Sequence, residues 1–221
     1  MNPTDPLVDP LQDLLACQQD ILAINYLAPL STHYLPWSGY AMAPRALVQI
    51  INDIVLNQRS LIVECGSGIS TFYIARLLKQ LGTVSHLYSI EHDQAWFNWV
   101  QQQLIQEGLT SIVTLIYAPL KSTDLALDDA LWYDLESISQ KLPKDIKIDL
   151  LLVDGPPAYR ESIQYSRYPA LPYFLPQLND PFMVVIDDAN RPGESAIIKK
   201  WQEIHKLNFE IRDGNIAIAT H

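Results

Sequence analysis

The chain has 221 residues and is 48% hydrophobic, which is enough to bury a sizeable core in one α/β domain. Its 25 acidic and 15 basic residues give a formal charge of −10, which opposes nonspecific binding to nucleic acid or an anionic membrane and favours a small-molecule partner. Cys17 and Cys65 are too few for a disulfide framework or a zinc cluster, and the lack of a signal-peptide pattern or a long apolar run predicts a cytoplasmic location.

Two helices joined by an aromatic loop are predicted first. Apolar residues recur at helical spacing over residues 7–26, and prolines then interrupt the chain. The loop at residues 34–40 either covers a cleft or packs as ordinary core. Pro44 suits the first turn of the second helix. We predict a single domain over residues 1–221, with an N-terminal helical extension over 1–43 and an α/β core over 44–221.

An apolar run at residues 61–63 leads into Glu64, Gly66 and Gly68. This order predicts a strand, a tight nucleotide-binding turn and a helix. Both glycines are expected to take positive φ and to let a ligand approach the backbone. No Lys or Arg occurs over residues 64–75, so a ligand with a cationic end fits better than a doubly negative pyrophosphate.

The turn departs from the dinucleotide-binding pattern at one position. Thr71 stands where the third glycine of G-x-G-x-x-G is expected, and Ser70 or Thr71 is predicted to cap the helix. The segment resembles the first motif of class I methyltransferases that use S-adenosylmethionine, in which an acid precedes two spaced glycines. The resemblance implies that Glu64 lies near the ammonium group of the cofactor. The cofactor contacts predicted here are Glu64, Gly66, Ser67, Gly68, Ser70 and Thr71.

Strands and helices alternate through the rest of the chain. The predicted strands cover residues 84–91, 112–117, 148–154 and 182–187, with helices at about 134–141, within 161–178 and at 194–206. Asp93 is predicted to cap a further helix that has Trp96 on its apolar face. A hairpin follows, with strands at 209–212 and 216–219 around Asp213-Gly214-Asn215. Repeated βα units favour a doubly wound, mostly parallel sheet. The antiparallel hairpin is similar to the end of the class I sheet, so the resemblance implies a seven-stranded Rossmann-like methyltransferase fold.

Further cofactor contacts are predicted at the ends of the second and third strands. Glu91 lies where nucleotide-binding folds place a carboxylate that accepts hydrogen bonds from ribose hydroxyls, the alternative being a solvated acid. His92 either lines the same edge or is a partly exposed polar residue. The resemblance implies that Ala118, Pro119 and Leu120, just after the third strand, line the adenine.

Acidic residues end the next two strands, at Asp154 and at the Asp187-Asp188 pair. These positions are similar to those of catechol O-methyltransferase-like members, and the resemblance implies that the three acids ligate a divalent metal such as Mg²⁺ and that Asp154 also lies near the cofactor. A bound cation would lower the pKa of a substrate hydroxyl. Asp187 and Asp188 point to one ion only if the strand has already turned. Metal-free relatives also keep acids here, so the alternative is a general base.

Aromatic and basic residues lie between these two strands, at Tyr159-Arg160 and around Arg167. They either bind a planar, glycosyl or anionic substrate or pack as an ordinary helix surface.

The combined pattern predicts methyl transfer from S-adenosylmethionine to a small molecule, to oxygen rather than nitrogen. Asp154, Asp187 and Asp188 are the predicted catalytic residues, and their task is to align the nucleophile and to help remove its proton. The alternatives are an NAD-dependent oxidoreductase, which Glu64 and Thr71 disfavour, and a non-catalytic cofactor-binding or scaffold protein. The acceptor and the oligomeric state stay open.

Overall fold

The computed structural model describes residues 10–221 of the chain. Strands and helices alternate through most of this range, as the repeated apolar runs predict. The strands are β1 (Leu61–Cys65), β2 (His86–Glu91), β3 (Val113–Tyr117), β4 (Leu120–Lys121), β5 (Trp132–Tyr133), β6 (Ile148–Val153), β7 (Leu178–Ile186), β8 (Glu210–Arg212) and β9 (Ile216–Thr220). The α-helices are α1 (Pro10–Leu27), α2 (Pro44–Leu56), α3 (Ile69–Leu81), α4 (Gln94–Gln106), α5 (Leu135–Lys141), α6 (Ala170–Phe174) and α7 (Pro192–His205).

A seven-stranded sheet with the order β3-β2-β1-β6-β7-β9-β8 forms the centre of the fold. Its first five strands are parallel, whereas β9 pairs antiparallel with both β7 and β8. The short strands β4 and β5 pair with each other outside this sheet. The predicted mostly parallel sheet with a C-terminal antiparallel hairpin is therefore confirmed.

The central strands are buried on both faces, because alternate residues enter two different cores. In β6, Leu151 belongs to a core that also contains Phe174 and Trp201, while Leu150 belongs to the opposite core with Ile50 and Phe72. Each core therefore receives one face of the sheet and the helices that cover it. This two-sided burial holds the strand ends at fixed positions.

The segment before β7 differs from the expectation. In place of a helix within residues 161–178, the chain forms short 3₁₀ turns at Glu161–Ile163 and Leu175–Gln177 around the five-residue α6. Pro169, Pro172 and Pro176 explain the interruption, because proline cannot donate the backbone hydrogen bond that a helix interior needs. β7 begins at Leu178, earlier than the predicted position 182.

The N-terminal helix packs on α2 and leaves part of its apolar surface in solvent. Ala23 and Leu27 are buried, whereas Leu14 and Ile21 are more than half exposed. The expected start of this helix at residues 7–9 lies outside the described residues, and the division at residues 43 and 44 stays a prediction. Among residues 10–221, none of the helices combines the length and the apolar character needed to cross a membrane.

Candidate active site

A cavity of about 430 Å³ lies at the edge of the main sheet, where β1, β2, β6 and β7 end. The strand order reverses between β1 and β6, and open α/β sheets bind ligands at such a switch point. The walls contain most of the residues that the sequence predicts for a site. These are Gly66, Ser67, Gly68, Ser70, Glu91, His92, Asp154, Asp187 and Asp188.

The register of the parallel strands explains why these residues meet. Cys65 pairs with Val153, and Val153 pairs with Ile186. The ladder continues one residue further, because the Asp154 N–H donates to the Cys65 carbonyl at 2.9 Å and the Asp187 N–H donates to the Val153 carbonyl at 3.0 Å. Asp154 and Asp187 therefore leave the sheet side by side and at the same level.

The two glycines of the turn after β1 have different roles. Gly66 has a φ of +95°, and a Cβ there would lie 3.0 Å from the backbone of Asp154 and Gly155. Gly68 is extended, with a φ of −171°, so the prediction of positive φ is correct for Gly66 and wrong for Gly68. A Cβ on Gly68 would meet nothing within 4 Å among the described residues, which leaves its backbone open to a ligand.

Glu64 is fully buried beneath this turn. Its carboxylate accepts hydrogen bonds from the hydroxyls of Ser70 and Thr71, each at 2.5 Å, and of Ser89 at 2.6 Å. Burial raises the pKa of Glu64 to about 7, although these hydroxyls favour the ionised form. Thr71 also accepts from the Gly68 N–H at 2.9 Å, as a cap of α3. Glu64 and Thr71 do not line the cavity, whereas Ser70 does.

Glu91 ends β2 as a buried acid with several donors around it. One carboxylate oxygen accepts from the backbone N–H groups of His92 and Asp93, both at 2.7 Å, and the other accepts from the Ser67 hydroxyl at 2.8 Å. Burial raises the pKa of Glu91, but the hydrogen bonds outweigh it and hold the pKa below its ordinary value. Glu91 is therefore an ionised acceptor in the cavity wall.

The sequence analysis missed Trp96 as a cavity residue and placed it only on an apolar helix face. Its indole N–H donates to the Ser67 carbonyl at 2.9 Å, and its ring stacks on Trp99 at a centroid distance of 4.7 Å. Asp93 caps α4 by accepting from the Trp96 N–H at 2.7 Å. The predicted cap at Asp93 comes two residues after the end of β2 and one turn before Trp96, so it indicates that the indole lies near the edge of the sheet.

The predicted adenine contact of the segment after β3 stays a prediction. Ala118, Pro119 and Leu120 do not line the cavity, because Ala118 is fully buried and Leu120 pairs with Tyr133 in the β4–β5 ladder. Tyr133 lines the cavity from this side. Its hydroxyl is buried and has no hydrogen-bond partner among the described residues. A buried unpaired hydroxyl at a cavity wall is available to a ligand.

The three acids of the β6 and β7 ends form one cluster, as predicted. One carboxylate oxygen from each of Asp154, Asp187 and Asp188 lies within 4.8 Å of the others. Asp188 joins the cluster because the chain turns after β7, where Asp188 has a φ of +58°. Burial and the neighbouring carboxylates raise the pKa of Asp154 and of Asp187.

Two arginines face this acidic cluster. Arg167 is 4% exposed and forms ion pairs with Asp154 at 3.2 Å and with Asp188 at 3.1 Å. Arg191 pairs with Asp188 at 2.7 Å. Glu194, whose carboxylate is buried without a hydrogen-bond partner among the described residues, lies 3.4 Å from Arg167. Arg167 lines the cavity while its guanidinium is occupied by protein acceptors, so direct binding of substrate by Arg167 stays a prediction.

The N-terminal loop closes the remaining side of the cavity. Pro36 and residues 38–42 line it, and the Tyr40 ring lies 6.3 Å from the ring of Tyr159 across the opening. Trp37 instead packs edge-on against Tyr73, at 6.2 Å between centroids. Of the two interpretations of the aromatic loop, cavity cover applies to most of it and packing applies to Trp37.

Residues 63–189 match a family model described as a methyltransferase domain, which covers more than half of the chain. The chain belongs to this methyltransferase family. A search of curated proteins found no sequence that matches this chain. The family match decides against the NAD-dependent alternative.

Solved methyltransferase structures share the fold at low sequence identity. SAH-bound PaMTH1 of Podospora anserina is 12% identical with a TM-score of 0.66, over 99% of this chain and 98% of that chain. A putative caffeoyl-CoA O-methyltransferase of Staphylococcus aureus is 15% identical with a TM-score of 0.57, over 95% and 96% of the two chains. An O-methyltransferase of Bacillus cereus in complex with SAH is 15% identical with a TM-score of 0.56, over 92% and 91%.

Proposed function

We propose that this methyltransferase transfers the methyl group to a hydroxyl of a small molecule that binds in the cavity of about 430 Å³. The observation on which this rests is the cluster of Asp154, Asp187 and Asp188 in the same cavity as the glycine turn. Carboxylates at this position can accept the proton that a hydroxyl loses. In support, two of the structures with this fold are described as O-methyltransferases, one of them as a putative caffeoyl-CoA enzyme.

The cofactor is expected to lie along the ends of β1 and β2. The open backbone at Gly66, Ser67 and Gly68 suits close approach of its amino-acid end, and Ser70 connects this region to the buried Glu64. Ionised Glu91 suits the ribose hydroxyls, which would replace the Ser67 hydroxyl as donors. His92 and Trp96 offer flat surfaces beside Glu91 for the adenine.

The acceptor is expected on the opposite side, between the acidic cluster and the N-terminal loop. When bound, S-adenosylmethionine would supply a methyl group on a sulfonium, so that the acceptor oxygen could bond to the methyl carbon as the carbon–sulfur bond breaks and S-adenosylhomocysteine leaves. Asp154 and Asp187 orient the acceptor hydroxyl and take its proton. Tyr40 and Tyr159 at the opening suit a planar acceptor, and the unpaired Tyr133 hydroxyl supplies one further polar contact.

Thermal unfolding with ligands tests the cofactor half of this proposal. At about 100 times its dissociation constant, S-adenosylhomocysteine should stabilise the fold by roughly 2.7 kcal/mol and raise Tm by about 2–4 °C. NAD is the control and should leave Tm unchanged. A shift with NAD alone would contradict the proposal.

The acceptor half is tested by a screen of small hydroxyl compounds. Each is incubated with the enzyme and S-adenosylmethionine, and methylated product is detected by mass spectrometry. Matched amines are the control compounds. Methylation of amines only, with every hydroxyl compound unchanged, would overturn the assignment to oxygen.

A further inference from the structure

The guanidinium of Arg167 uses all of its N–H groups on protein acceptors. Nε donates to the Pro156 carbonyl at 3.2 Å, and one terminal nitrogen donates to the Asp154 carbonyl at 3.0 Å and carboxylate at 3.2 Å. The other terminal nitrogen donates to the Asp187 carbonyl and the Asp188 carboxylate, both at 3.1 Å. Five donors thus meet five acceptors, which is the full capacity of an arginine.

These contacts make Arg167 a fixed part of the acidic cluster. It joins the end of β6, through Asp154 and Pro156, to the end of β7, through Asp187 and Asp188. A lysine has three donors on a single nitrogen and cannot reach the same five acceptors. The guanidinium of Arg167 is therefore held between the carboxylates of Asp154 and Asp188. The side chain is only 4% exposed, so water does not screen its charge.

A divalent ion at the cluster would have to share its carboxylates with two arginines. One oxygen of Asp154 and one of Asp188 pair with Arg167, and the same Asp188 oxygen also pairs with Arg191. The ion would then bring two further positive charges beside a buried guanidinium. The three acids fit a metal in number and in oxygen chemistry, but two of them already pair with arginines, which would repel a cation bound at the same carboxylates.

We propose that Arg167 takes the place of the divalent cation in this methyltransferase, so that the cluster binds no Mg²⁺ and the methyl transfer needs none. Asp187 is then the acid left for the acceptor, since among the described residues no arginine, lysine or histidine forms an ion pair with it. Arg167 is a positioning residue that holds the other two carboxylates. The role of the cluster rests on the proposed function, but Arg167 stands in place of the metal that the sequence resemblance implies.

Titration of the full-length chain with Mn²⁺, followed by electron paramagnetic resonance, tests this directly. Wild-type protein should show no saturable Mn²⁺ binding below about 1 mM. Arg167→Met removes the resident cation and should tighten Mn²⁺ binding by about tenfold or more. Adding Asp154→Asn to Arg167→Met should abolish that gain.

A matched control is available in Arg76, which is also buried and pairs with Glu107 at 2.6 Å, and which does not line the cavity. Arg76→Met should lose thermal stability in the same way but gain no Mn²⁺ binding. If circular dichroism shows that Arg167→Met is not folded, the titration is repeated with Arg167→Lys. This variant keeps the charge, so it should have a lower Tm than wild type and still bind no Mn²⁺.

The proposal is overturned if wild-type protein binds one Mn²⁺ per chain and loses it in Asp154→Asn or Asp188→Asn. It is equally overturned if chelation by EDTA abolishes methyl transfer and added Mg²⁺ restores it. S-adenosylhomocysteine binding, measured on the same samples, reports on the proposed function separately. If the protein binds S-adenosylhomocysteine but no Mn²⁺, both the proposed function and the replacement of the metal by Arg167 are supported. If the protein binds neither, only the proposed function is contradicted.

Discussion

The two halves of the cavity stabilise buried acids by different means. At the ends of β1 and β2, Glu64 and Glu91 are held by hydroxyls and backbone N–H groups, with no arginine or lysine in contact among the described residues. At the ends of β6 and β7, Asp154 and Asp188 are held by Arg167. We expect the first half, where no described arginine or lysine lies beside the acids, to suit the cationic end of the cofactor; in the second half, arginines offset part of the charge of the acids, which we expect to suit a neutral acceptor hydroxyl.

The largest effect that tests this contrast is expected from Asp187→Asn. The variant removes the acid with no arginine partner, so methyl transfer should fall by about 10²–10⁴-fold, the usual contribution of a positioned base. Affinity for S-adenosylhomocysteine should change little, because the cofactor half is untouched. Single-turnover assays and calorimetry measure the two quantities. Transfer at the wild-type rate would remove Asp187 from the reaction.

Glu64 provides a pH-dependent test of the cofactor half. Its folded pKa of about 7 exceeds the ordinary 4.5, so protonation of Glu64 stabilises the fold fully below pH 4.5, and this contribution is lost as pH rises through 7. Glu64→Gln mimics the protonated acid. The free energy of unfolding of wild type should therefore fall relative to Glu64→Gln by up to about 3 kcal/mol between these pH values.

Urea unfolding of both proteins between pH 4.5 and pH 8 measures this difference. Glu107→Gln is a matched control, since Glu107 is a buried acid that Arg76 neutralises outside the cavity. A difference between wild type and Glu64→Gln that does not vary with pH would show that folding does not raise the pKa of Glu64.

Glu91→Ala should weaken S-adenosylhomocysteine binding by about tenfold or more, because a hydrogen bond to a charged group contributes about 1.5–3 kcal/mol. Calorimetry measures this affinity. Glu107→Ala removes a comparable buried acid that lies away from the cavity, and the affinity for S-adenosylhomocysteine should stay unchanged. Equal affinities of wild type and Glu91→Ala would exclude Glu91 from the ribose site.

Substitutions at the two glycines of the turn are expected to have the smallest effects. Because Gly66 and Gly68 differ in backbone conformation and in the space around them, the two substitutions can be compared directly. Gly66→Ala should lose about 1–3 kcal/mol of stability, because it combines positive φ with a close backbone contact. Gly68→Ala should change stability by only about 0.5 kcal/mol, since its backbone is extended and the space around it is open. It should nevertheless weaken S-adenosylhomocysteine binding, as the methyl group enters the cavity. Equal loss of stability in both variants would contradict this division.

The part of the site that lies on strand ends was predictable from the sequence. Parallel strands end at one edge of a sheet, so an acid directly after a buried apolar run, such as Asp154 or Glu91, is placed by local pattern and topology together. The turn at Gly66 was predictable for the same reason. These residues need no long-range information beyond the order of the strands.

The residues whose position in the site the sequence left open reach the cavity from irregular segments. Arg167 precedes a five-residue helix, and Tyr133 lies on a two-residue strand, so neither follows a periodic pattern that fixes its direction. The predicted adenine contacts at 118–120 lie in a similarly irregular segment, where Leu120 pairs with Tyr133 in a short ladder, and they stay a prediction. Tertiary packing decides these positions, and spacing along the chain does not.

The wall formed by Pro36 and residues 38–42 lies outside residues 63–189, the part of the chain that matches the family. The same cavity is thus built from a shared portion, which contains the glycine turn and the acids, and from a separate portion that precedes it. Changes in the preceding loop would alter the shape of this wall without touching a strand end. If the acceptor binds against this wall as proposed, exchange of the loop would change the choice of acceptor while the glycine turn and the acids stay the same.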